Sequence, residues 1–174
     1  GMLTAGVSVS GIAQRMFAGV DSFSYLAIPM FMLAGKLMEY GGISARIVQV
    51  AKILCAKVRG GLAITSIVAC SFFAALSGSA PATVSAIGGI MYPEMLKDGY
   101  DEEFAGGMIS VAGNLGPLIP PSILMVTIGV CTGVSISDMF LGGIVIGILL
   151  AAVFCLTAYV ICRRRNYGGS GQTY

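Results

Sequence analysis

Two stretches of this sequence carry the oxygen atoms and helix-breaking residues that an ion site within a membrane needs. The first covers residues 77–83 (S-G-S-A-P-A-T), and the second covers residues 113–122 (G-N-L-G-P-L-I-P-P-S). Each interrupts an apolar segment, and irregular backbone persists in hydrocarbon only where it is buried in protein or lines a wet cavity. We therefore predict that the two stretches meet and form half of an ion-and-substrate cavity in a secondary transporter.

The residue types in these stretches suit a cation and an anion. Hard cations such as sodium are held by oxygen, which the hydroxyls of Ser77, Ser79 and Thr83 and the amide of Asn114 supply. Unwound backbone adds carbonyl oxygens without adding charge. Helix N-termini direct partial positive charge at an anion, a role that suits the helix after the first stretch and the helix that starts near residues 121–122.

Plainer interpretations of the same residues stay open. Small residues in membrane helices commonly serve close packing, and this applies most directly to the glycine pairs at 88–89, 106–107 and 142–143. Asn114 could make an ordinary interhelical hydrogen bond. The three prolines of the second stretch could kink a helix without any further role.

Composition places the chain in a membrane. Hydrophobic residues make up 56% of the sequence and charged residues only 10%, with a mean hydropathy of +0.90, whereas soluble domains are about 25% charged. The net charge of +2 points to no nucleic-acid partner. Histidine is absent, and the five cysteines include no C-x-x-C pair, so we expect structural thiols and no catalytic or metal centre.

The first half of the chain divides into four predicted elements. Residues 1–19 show no signal-peptide pattern and are predicted as a loop or interfacial helix. Residues 22–40 form a predicted span with Lys36 and Glu39 paired at its end, and residues 43–58 a basic amphipathic helix in the plane of the interface. The apolar pieces 62–76 and 84–96 are short for a bilayer, and we predict a re-entrant helical hairpin with its tip at residues 77–83.

The second half is predicted to contain a broken helix and one long span. Residues 97–103 are a loop whose acidic residues cap the next helix, and residues 104–131 are two half-helices joined by unwound chain at 113–122, because prolines remove backbone donors. Ser135 and Ser137 are N-cap candidates. Residues 139–162 are an uninterrupted span ending at Arg163–Arg165, and residues 166–174 a flexible linker.

Charge provides a check on this topology. Basic residues mark the cytoplasmic side, so the arm at residues 44–59 and the cluster at 163–165 should share one side. A hairpin that returns to its starting side satisfies the rule, whereas a single span over 62–96 does not. Two full spans would also satisfy it, but the pieces are too short. We therefore favour the hairpin.

Several motifs, in this order, resemble the large membrane subunit of tripartite ATP-independent periplasmic (TRAP) transporters. They are L-A-I-P-M-F-M-L-A-G at 26–35, G-G-I-S at 41–44, R-G-G-L-A at 59–63, F-x-x-x-S-G-S-A at 73–80 and G-P-L-I-P-P-S at 116–122. The resemblance covers nearly the whole chain. It implies an all-α, multi-pass, elevator-type permease in a bacterial or archaeal cytoplasmic (inner) membrane.

The resemblance also implies function and partners. A protein of this kind is a sodium-coupled importer of organic acids such as C4-dicarboxylates or sialic acid, and it works with a small membrane subunit and a periplasmic substrate-binding protein. No cofactor is implied beyond sodium as coupling ion, and no enzymatic activity. Two alternatives are a carboxylate or oxyanion permease of the wider superfamily without a binding protein, and a non-transporting membrane scaffold subunit.

Carried onto this sequence, the resemblance places the ion and substrate site at the two interruptions. The residues concerned are Ser77, Gly78, Ser79, Ala80, Thr83, Asn114, Gly116, Pro117, Pro120, Pro121 and Ser122. Sodium would be held by Ser77, Ser79, Asn114 and Gly116. The substrate would meet helix N-termini, or a residue in the half of the family's subunit that this chain lacks, because no Arg or Lys occurs in the predicted spans beyond Lys36 near the end of the first.

The family's large subunit is more than twice as long and has two inverted repeats, each with a hairpin and a broken helix. Only one of each occurs here, so the chain resembles the N-terminal repeat without its first helix. We accordingly divide it into a scaffold-type segment at 1–59, a transport-type segment at 60–134, and a final helix with its tail at 135–174.

Overall fold

The computed structural model of the chain describes residues 9–21, 23–55, 58 and 60–167, and over these residues the regular structure is entirely helical. A short 3₁₀ segment, Phe23–Leu26, precedes α2. The helices are α1 (Val9–Val20), α2 (Ala27–Tyr40), α3 (Ile43–Cys55), α4 (Gly61–Ser77), α5 (Ala80–Lys97), α6 (Glu102–Gly113), α7 (Ile123–Thr132) and α8 (Ile136–Arg165). The predicted all-α class is confirmed.

Helix α4 lies at the centre of the molecule and contacts α2, α3, α5, α6 and α8. Its side chains Ile67, Cys70 and Phe73 are buried, and they pack in one core with Ile87 and Met91 of α5. Small residues interleave with these large ones along α4, which lets several helices approach it closely. Helix α4, which leads into the 77–79 segment, is therefore packed against protein on the side of these residues.

Helices α4 and α5 form an antiparallel hairpin. Near its open end the Ser66 hydroxyl of α4 lies 3.5 Å from the Met95 sulfur of α5, and near its closed end the Ser77 and Thr83 hydroxyls are 2.9 Å apart. The chain between the helices is only Gly78 and Ser79. A single continuous helix across this region is therefore excluded.

The predicted hairpin had a longer tip and a shorter second helix than the structure has. The prediction placed the break at 77–83 and the second piece at 84–96, but α5 begins at Ala80 and has 18 residues against 17 for α4. The physical reason is Pro81, which lies in the first turn of α5, where a missing N–H costs nothing.

The predicted span at 22–40 was also too long. Helix α2 has 14 residues, about 21 Å at 1.5 Å per residue. Because α2 begins at Ala27, Pro29 falls within the first turn, whereas a start at residue 22 would place this proline in the helix interior. In the first predicted segment, α1 is helical, and residues 1–8 lie outside the described part of the chain.

The basic helix predicted at 43–58 is found as α3, which ends at Cys55. Residues 56, 57 and 59, with two of the predicted basic side chains, lie outside the described residues. Val48 and Ala51 are buried, whereas Ile53 and Leu54 are exposed by 77% and 65%. Helix α3 thus packs one face on the protein and presents a second apolar face outward.

The predicted loop and broken helix are found with small shifts. Helix α6 begins at Glu102, two residues before the predicted start, because the Asp101 carboxylate accepts a hydrogen bond from the Phe104 N–H at 2.9 Å. The chain from 114 to 122 is not helical, and α7 follows it. The break in this helix is confirmed.

Helix α8 is longer than predicted. It has 30 residues instead of the 24 expected at 139–162, and the Ser135 side chain caps it by accepting from the Asp138 N–H. Among the described residues, it is the one helix long and apolar enough to cross a membrane by itself. Of the linker predicted at 166–174, residues 168–174 lie outside the described part of the chain, and the Tyr167 ring stacks on Tyr100 with centroids 4.9 Å apart.

Several contacts join helices at one end of the molecule. Arg165 of α8 pairs with Asp101 at 3.0 Å, Lys52 of α3 pairs with Glu94 of α5, and Gly60, just before α4, lies against Cys162. Burial raises the pKa of the Tyr100 hydroxyl in the loop beside Asp101. The arm helix, the open end of the hairpin and the arginine cluster therefore lie at the same end, and the hairpin tip points away from it.

Candidate functional site

The hairpin tip lies directly on the unwound segment of the broken helix. A Cβ added to Gly78 would meet the Pro121 carbonyl oxygen and come within 3.3 Å of the Ser122 Cα. The Gly78 carbonyl accepts a long hydrogen bond, 3.5 Å, from the Ile123 N–H. The first residues of α5 and α7 thus begin side by side, at the point where both stretches of unusual sequence are found.

A second glycine contact joins the same two segments. A Cβ added to Gly116 would lie 2.7 Å from the Ser79 carbonyl carbon and 2.9 Å from the Ala80 nitrogen. Real Cβ atoms do not approach backbone so closely, so the two segments can make this contact only because residue 116 is a glycine. The contact leaves peptide groups of both stretches next to one another, at the ends of helices.

The hydroxyl groups of the tip bond to each other and to the backbone. The Thr83 hydroxyl donates to the Ser79 carbonyl at 2.8 Å, and it lies 2.9 Å from the Ser77 hydroxyl. Ser77 and Thr83 are buried, with 3% and 0% of their surface exposed. The Ser79 side chain is half-buried and makes no cap bond to α5.

Asn114 lies apart from this network. Its side chain is exposed, and its amide nitrogen donates to the Ser110 carbonyl of its own helix at 3.3 Å. Asn114 is the C-cap residue of α6. The described bond of its side chain thus joins it to its own helix and not to the hairpin tip.

The prolines shape the connection between α6 and α7. Pro117, Pro120 and Pro121 are half-buried in the non-helical segment, where a missing N–H breaks no helical hydrogen bond. The Pro120–Pro121 peptide bond is cis. Ser122 is fully buried and caps α7, its hydroxyl accepting from the Met125 N–H at 3.4 Å.

Helix α8 packs against the unwound segment between α6 and α7. A Cβ on Gly143 would meet the Leu118 carbonyl oxygen, and one on Gly147 would meet the Ile119 side chain. The predicted packing role holds for Gly143, and also for Gly88, which lies against Ile109, whereas Gly89, Gly107 and Gly142 face open space. Small residues on α8 therefore let the non-helical chain sit close to a long helix.

Two further glycines contribute to the site: Gly35, which was not predicted, and Gly113, which begins the second predicted stretch but was not named as a site residue. Gly35 of α2 is buried, and a Cβ there would lie 3.5 Å from the Ser77 Cα, so α2 crosses the hairpin at its tip. Gly113, the last residue of α6, accommodates the Val84 side chain. Gly35 lies within the conspicuous run L-A-I-P-M-F-M-L-A-G, which was the available signal in the sequence.

A cleft of about 290 Å³ opens between α5 and α6 beside the tip. Its walls are formed by Val84, Gly88, Tyr92, Gly106, Ile109 and Ser110. Its polar groups are hydroxyls and backbone, and none of these side chains is charged. The cleft reaches the tip through Val84, which also contacts Gly113.

The electrostatics of the site rest on neutral oxygens and helix ends. Neither stretch, 77–83 or 113–122, contains a charged residue. The described ion pairs are Lys36–Glu39, Lys52–Glu94 and Arg165–Asp101, which lie in other segments. Among the residues with described positions, no three His, Cys, Asp or Glu side chains cluster as a metal site. A cation here would be held by carbonyl, hydroxyl and amide oxygens.

Comparison with known proteins identifies the family of the chain. Residues 2–173 match the family model described as "Tripartite ATP-independent periplasmic transporter, DctM component". The chain is 49% identical, over 160 residues, to the C4-dicarboxylate TRAP transporter large permease protein DctM of Vibrio cholerae serotype O1. The match covers 91% of this chain and 35% of that protein.

The relatives are named for more than one substrate. The chain is 42% identical over 156 residues to the corresponding C4-dicarboxylate protein of Pseudomonas aeruginosa, covering 90% of this chain and 36% of the relative. It is 37% identical over 166 residues to the sialic acid TRAP transporter large permease protein SiaM of Vibrio cholerae, covering 95% and 39%.

The chain thus spans little more than a third of the length of these relatives. The family match extends over almost every residue, including both stretches that form the hairpin tip and the broken helix. The chain belongs to the DctM component family of tripartite ATP-independent periplasmic transporters, which are membrane permeases.

Proposed function

We propose that this chain forms one half of the ion-and-substrate site of a sodium-coupled permease that imports organic acids. The observation that carries the proposal is the contact between the two unwound segments, with Gly78 against Pro121 and Ser122, and Gly116 against Ser79. Such segments at membrane depth are expected only where their backbone groups bind something or line a cavity. Membership of the DctM family supplies the transport class.

The geometry supports separate positions for cation and anion. We propose the Ser79 and Asn114 side chains and the Gly116 backbone as sodium ligands. Ser77, which the sequence also predicted as a ligand, holds the tip in shape. The N-termini of α5 and α7, which follow Ser79 and Ser122, begin next to one another. Their aligned peptide dipoles favour a carboxylate there, which removes the need for a buried arginine or lysine.

The proposed architecture follows from these positions. Helix α3 is the arm at the cytoplasmic interface, α4 and α5 are a re-entrant hairpin, α6 and α7 together cross the bilayer, and α8 crosses back. Residues 1–59 then belong to the scaffold, residues 60–134 to the mobile transport part of an elevator, and residues 135–174 to the last helix and its tail. The gathering of α3, Glu94 and Arg165 at one end supports this arrangement.

We propose a C4-dicarboxylate as the first substrate to test, because relatives 49% and 42% identical to this chain are named for it. The proposed partners are a small membrane subunit and a periplasmic substrate-binding protein. The proposed location is the cytoplasmic (inner) membrane of a bacterium or archaeon. The relatives are transport permeases, so no enzymatic reaction is assigned.

The test is uptake into proteoliposomes by the complete complex that contains the full-length protein. We expect accumulation of succinate or sialic acid only with an inward sodium gradient and only with the binding protein, and none when potassium replaces sodium. Uptake without the binding protein would instead indicate a permease of the wider superfamily.

A double variant tests the site itself. Ser79→Ala with Asn114→Ala should abolish sodium-driven uptake. Ser71→Ala is the matched control, because the Ser71 hydroxyl bonds the Ile67 carbonyl within α4, away from the tip. Full uptake by the double variant would show that this chain is a scaffold without a role in transport.

A further inference from the structure

Within this proposed function, we infer that Ser77 and Thr83 are positioning residues and that, of the three hydroxyls at the tip, the Ser79 hydroxyl is the one left free to meet the cation. The inference rests on the hydrogen-bond pattern of the tip. It divides the three hydroxyls of the tip into two that hold the backbone in place, those of Ser77 and Thr83, and one that is free to bind a cation, that of Ser79. The roles of Ser77 and Ser79 then differ, although the two residues are of the same type.

The three residues form a closed chain of hydrogen bonds. The Ser79 N–H donates to the Ser77 hydroxyl oxygen at 3.4 Å, and the Thr83 hydroxyl donates to the Ser79 carbonyl at 2.8 Å. The Ser77 hydroxyl lies 3.4 Å from the Ser79 carbonyl oxygen and only 2.9 Å from the Thr83 hydroxyl. With the Thr83 proton on the Ser79 carbonyl, we assign the Ser77 proton to the shorter contact, the one with Thr83. The chain of bonds therefore runs from the Ser79 N–H, through both hydroxyls, back to the Ser79 carbonyl.

These hydrogen bonds engage both backbone groups of Ser79, its N–H and its carbonyl. Its carbonyl also accepts the Thr83 N–H at 3.1 Å, so it already has two good donors, one from the backbone and one from a hydroxyl. A carbonyl oxygen has two lone pairs, and both are engaged. The Ser79 carbonyl is thus not open to a cation in this conformation.

Burial separates the three side chains further. Ser77 and Thr83 have 3% and 0% exposure, so each hydroxyl that lost its partner would stay buried and unsatisfied. Ser79 is half-buried, and its hydroxyl makes no described bond to the N-terminus of α5. The network orders the peptide that carries this hydroxyl while leaving the hydroxyl itself unused.

Local geometry explains why these residue types suit the positions. Gly78 has φ of +59°, which turns the chain so that the Ser77 hydroxyl can face the peptide it precedes. Thr83 lies four residues after Ser79 in α5, the spacing at which a threonine hydroxyl reaches the carbonyl of the preceding turn. Thr83→Val keeps the shape of the side chain and removes only the hydroxyl, whereas Thr83→Ser keeps the hydroxyl.

The test compares Thr83→Val and Thr83→Ser in the full-length protein within its complex, measured by uptake driven by sodium and by lithium. We expect Thr83→Val to raise the half-saturating concentration of both ions by about the same factor, roughly tenfold, equivalent to about 1.4 kcal/mol. Thr83→Ser should restore values close to those of the wild type. Ser79→Ala should change the ratio between the two ions, because it removes a direct ligand.

Two results would overturn the inference. A changed sodium-to-lithium ratio in Thr83→Val would make Thr83 a ligand of the ion. A lower maximal rate with unchanged half-saturation, not restored by serine, would make it only a packing residue.

A second measurement does not depend on transport. Hydrogen exchange of the wild-type protein should show slow amides at Ser79 and Thr83, and Thr83→Val should accelerate both, while Thr83→Ser should not. If wild-type uptake proves independent of any cation but this exchange pattern is found, the proposed function fails and the network stands. Equal exchange in all three proteins would refute the network directly.

Discussion

At the scale of single residues, Gly78 is fixed by two independent constraints. Its φ of +59° lies in the left-handed region, and its Cα faces the backbone of Pro121 and Ser122 with no room for a methyl group. The first constraint shapes the hairpin tip, and the second lets that tip touch the broken helix. Both stretches of unusual sequence thus depend on the absence of one side chain.

We expect Gly78→Ala to abolish uptake by the full-length protein in its complex. The added Cβ would have to displace the Pro121 carbonyl, which is backbone and cannot rotate away. Gly99→Ala is the matched control: Gly99 has φ of +85° in a loop but nothing within 4 Å of an added Cβ. Proteoliposome uptake measures both variants. If both variants lost uptake equally, the cause would be backbone strain and not the contact with Pro121. Normal uptake by Gly78→Ala would show that this contact is dispensable.

At the scale of elements, the breaks in the helices could be predicted and the orientation of their side chains could not. Three prolines define the non-helical segment, because each lacks a donor, and Gly78 and Ser79 mark the hairpin turn. The exact start of α5 depended on recognising Pro81 as a first-turn residue. Asn114 was predicted as a ligand, but its exposure depends on how α6 packs, which no local pattern states.

The start of α6 gives a test at this scale. The Asp101 carboxylate caps the helix and also pairs with Arg165. Asp101→Ala loses both interactions, and we expect the amides of residues 102–106 to exchange about fivefold faster, since an N-cap contributes about 1 kcal/mol. Asp101→Asn keeps a capping oxygen and loses only the ion pair. Because both partners are well exposed, we expect it to stay within about twofold of the wild type.

Hydrogen exchange with peptide-level mass spectrometry checks this expectation. Residues 123–127 of α7, which are capped by Ser122, serve as the internal reference. If Asp101→Asn exchanged as fast as Asp101→Ala, the ion pair and not the cap would hold the start of α6.

At the scale of the whole molecule, the hairpin tip and the long-range ion pairs lie at opposite ends. The arm helix, the open end of the hairpin and the arginine cluster lie together, joined by the Lys52–Glu94 and Arg165–Asp101 pairs. The hairpin tip and the broken segment meet away from them. The sequence predicted, from charge alone, that the basic segments at 44–59 and 163–165 share the cytoplasmic side, and this sidedness stays a prediction. The sequence could not predict that α2 would cross the tip at Gly35.

Cysteine labelling in intact cells tests the arrangement. Glu103→Cys and Arg164→Cys, both exposed, should react only with reagents that enter the cytoplasm, and Thr132→Cys, at the far end of α7, with impermeant reagents from outside. The native cysteines are first replaced, and the uptake of each variant is verified. Labelling of Glu103→Cys and Arg164→Cys from opposite sides would contradict the topology.

The most direct test of the central claim is sodium-dependent protection of the hairpin tip. In the full-length protein within its complex, without native cysteines, Ala80→Cys is treated with a small water-soluble thiol reagent; Ala80 is half-buried at the tip and is not a proposed sodium ligand. The account predicts that this cysteine reacts although it lies at membrane depth, and that sodium, but not potassium, slows the reaction. A cysteine that stays unreactive from both sides, or reacts at one rate with and without sodium, would contradict it.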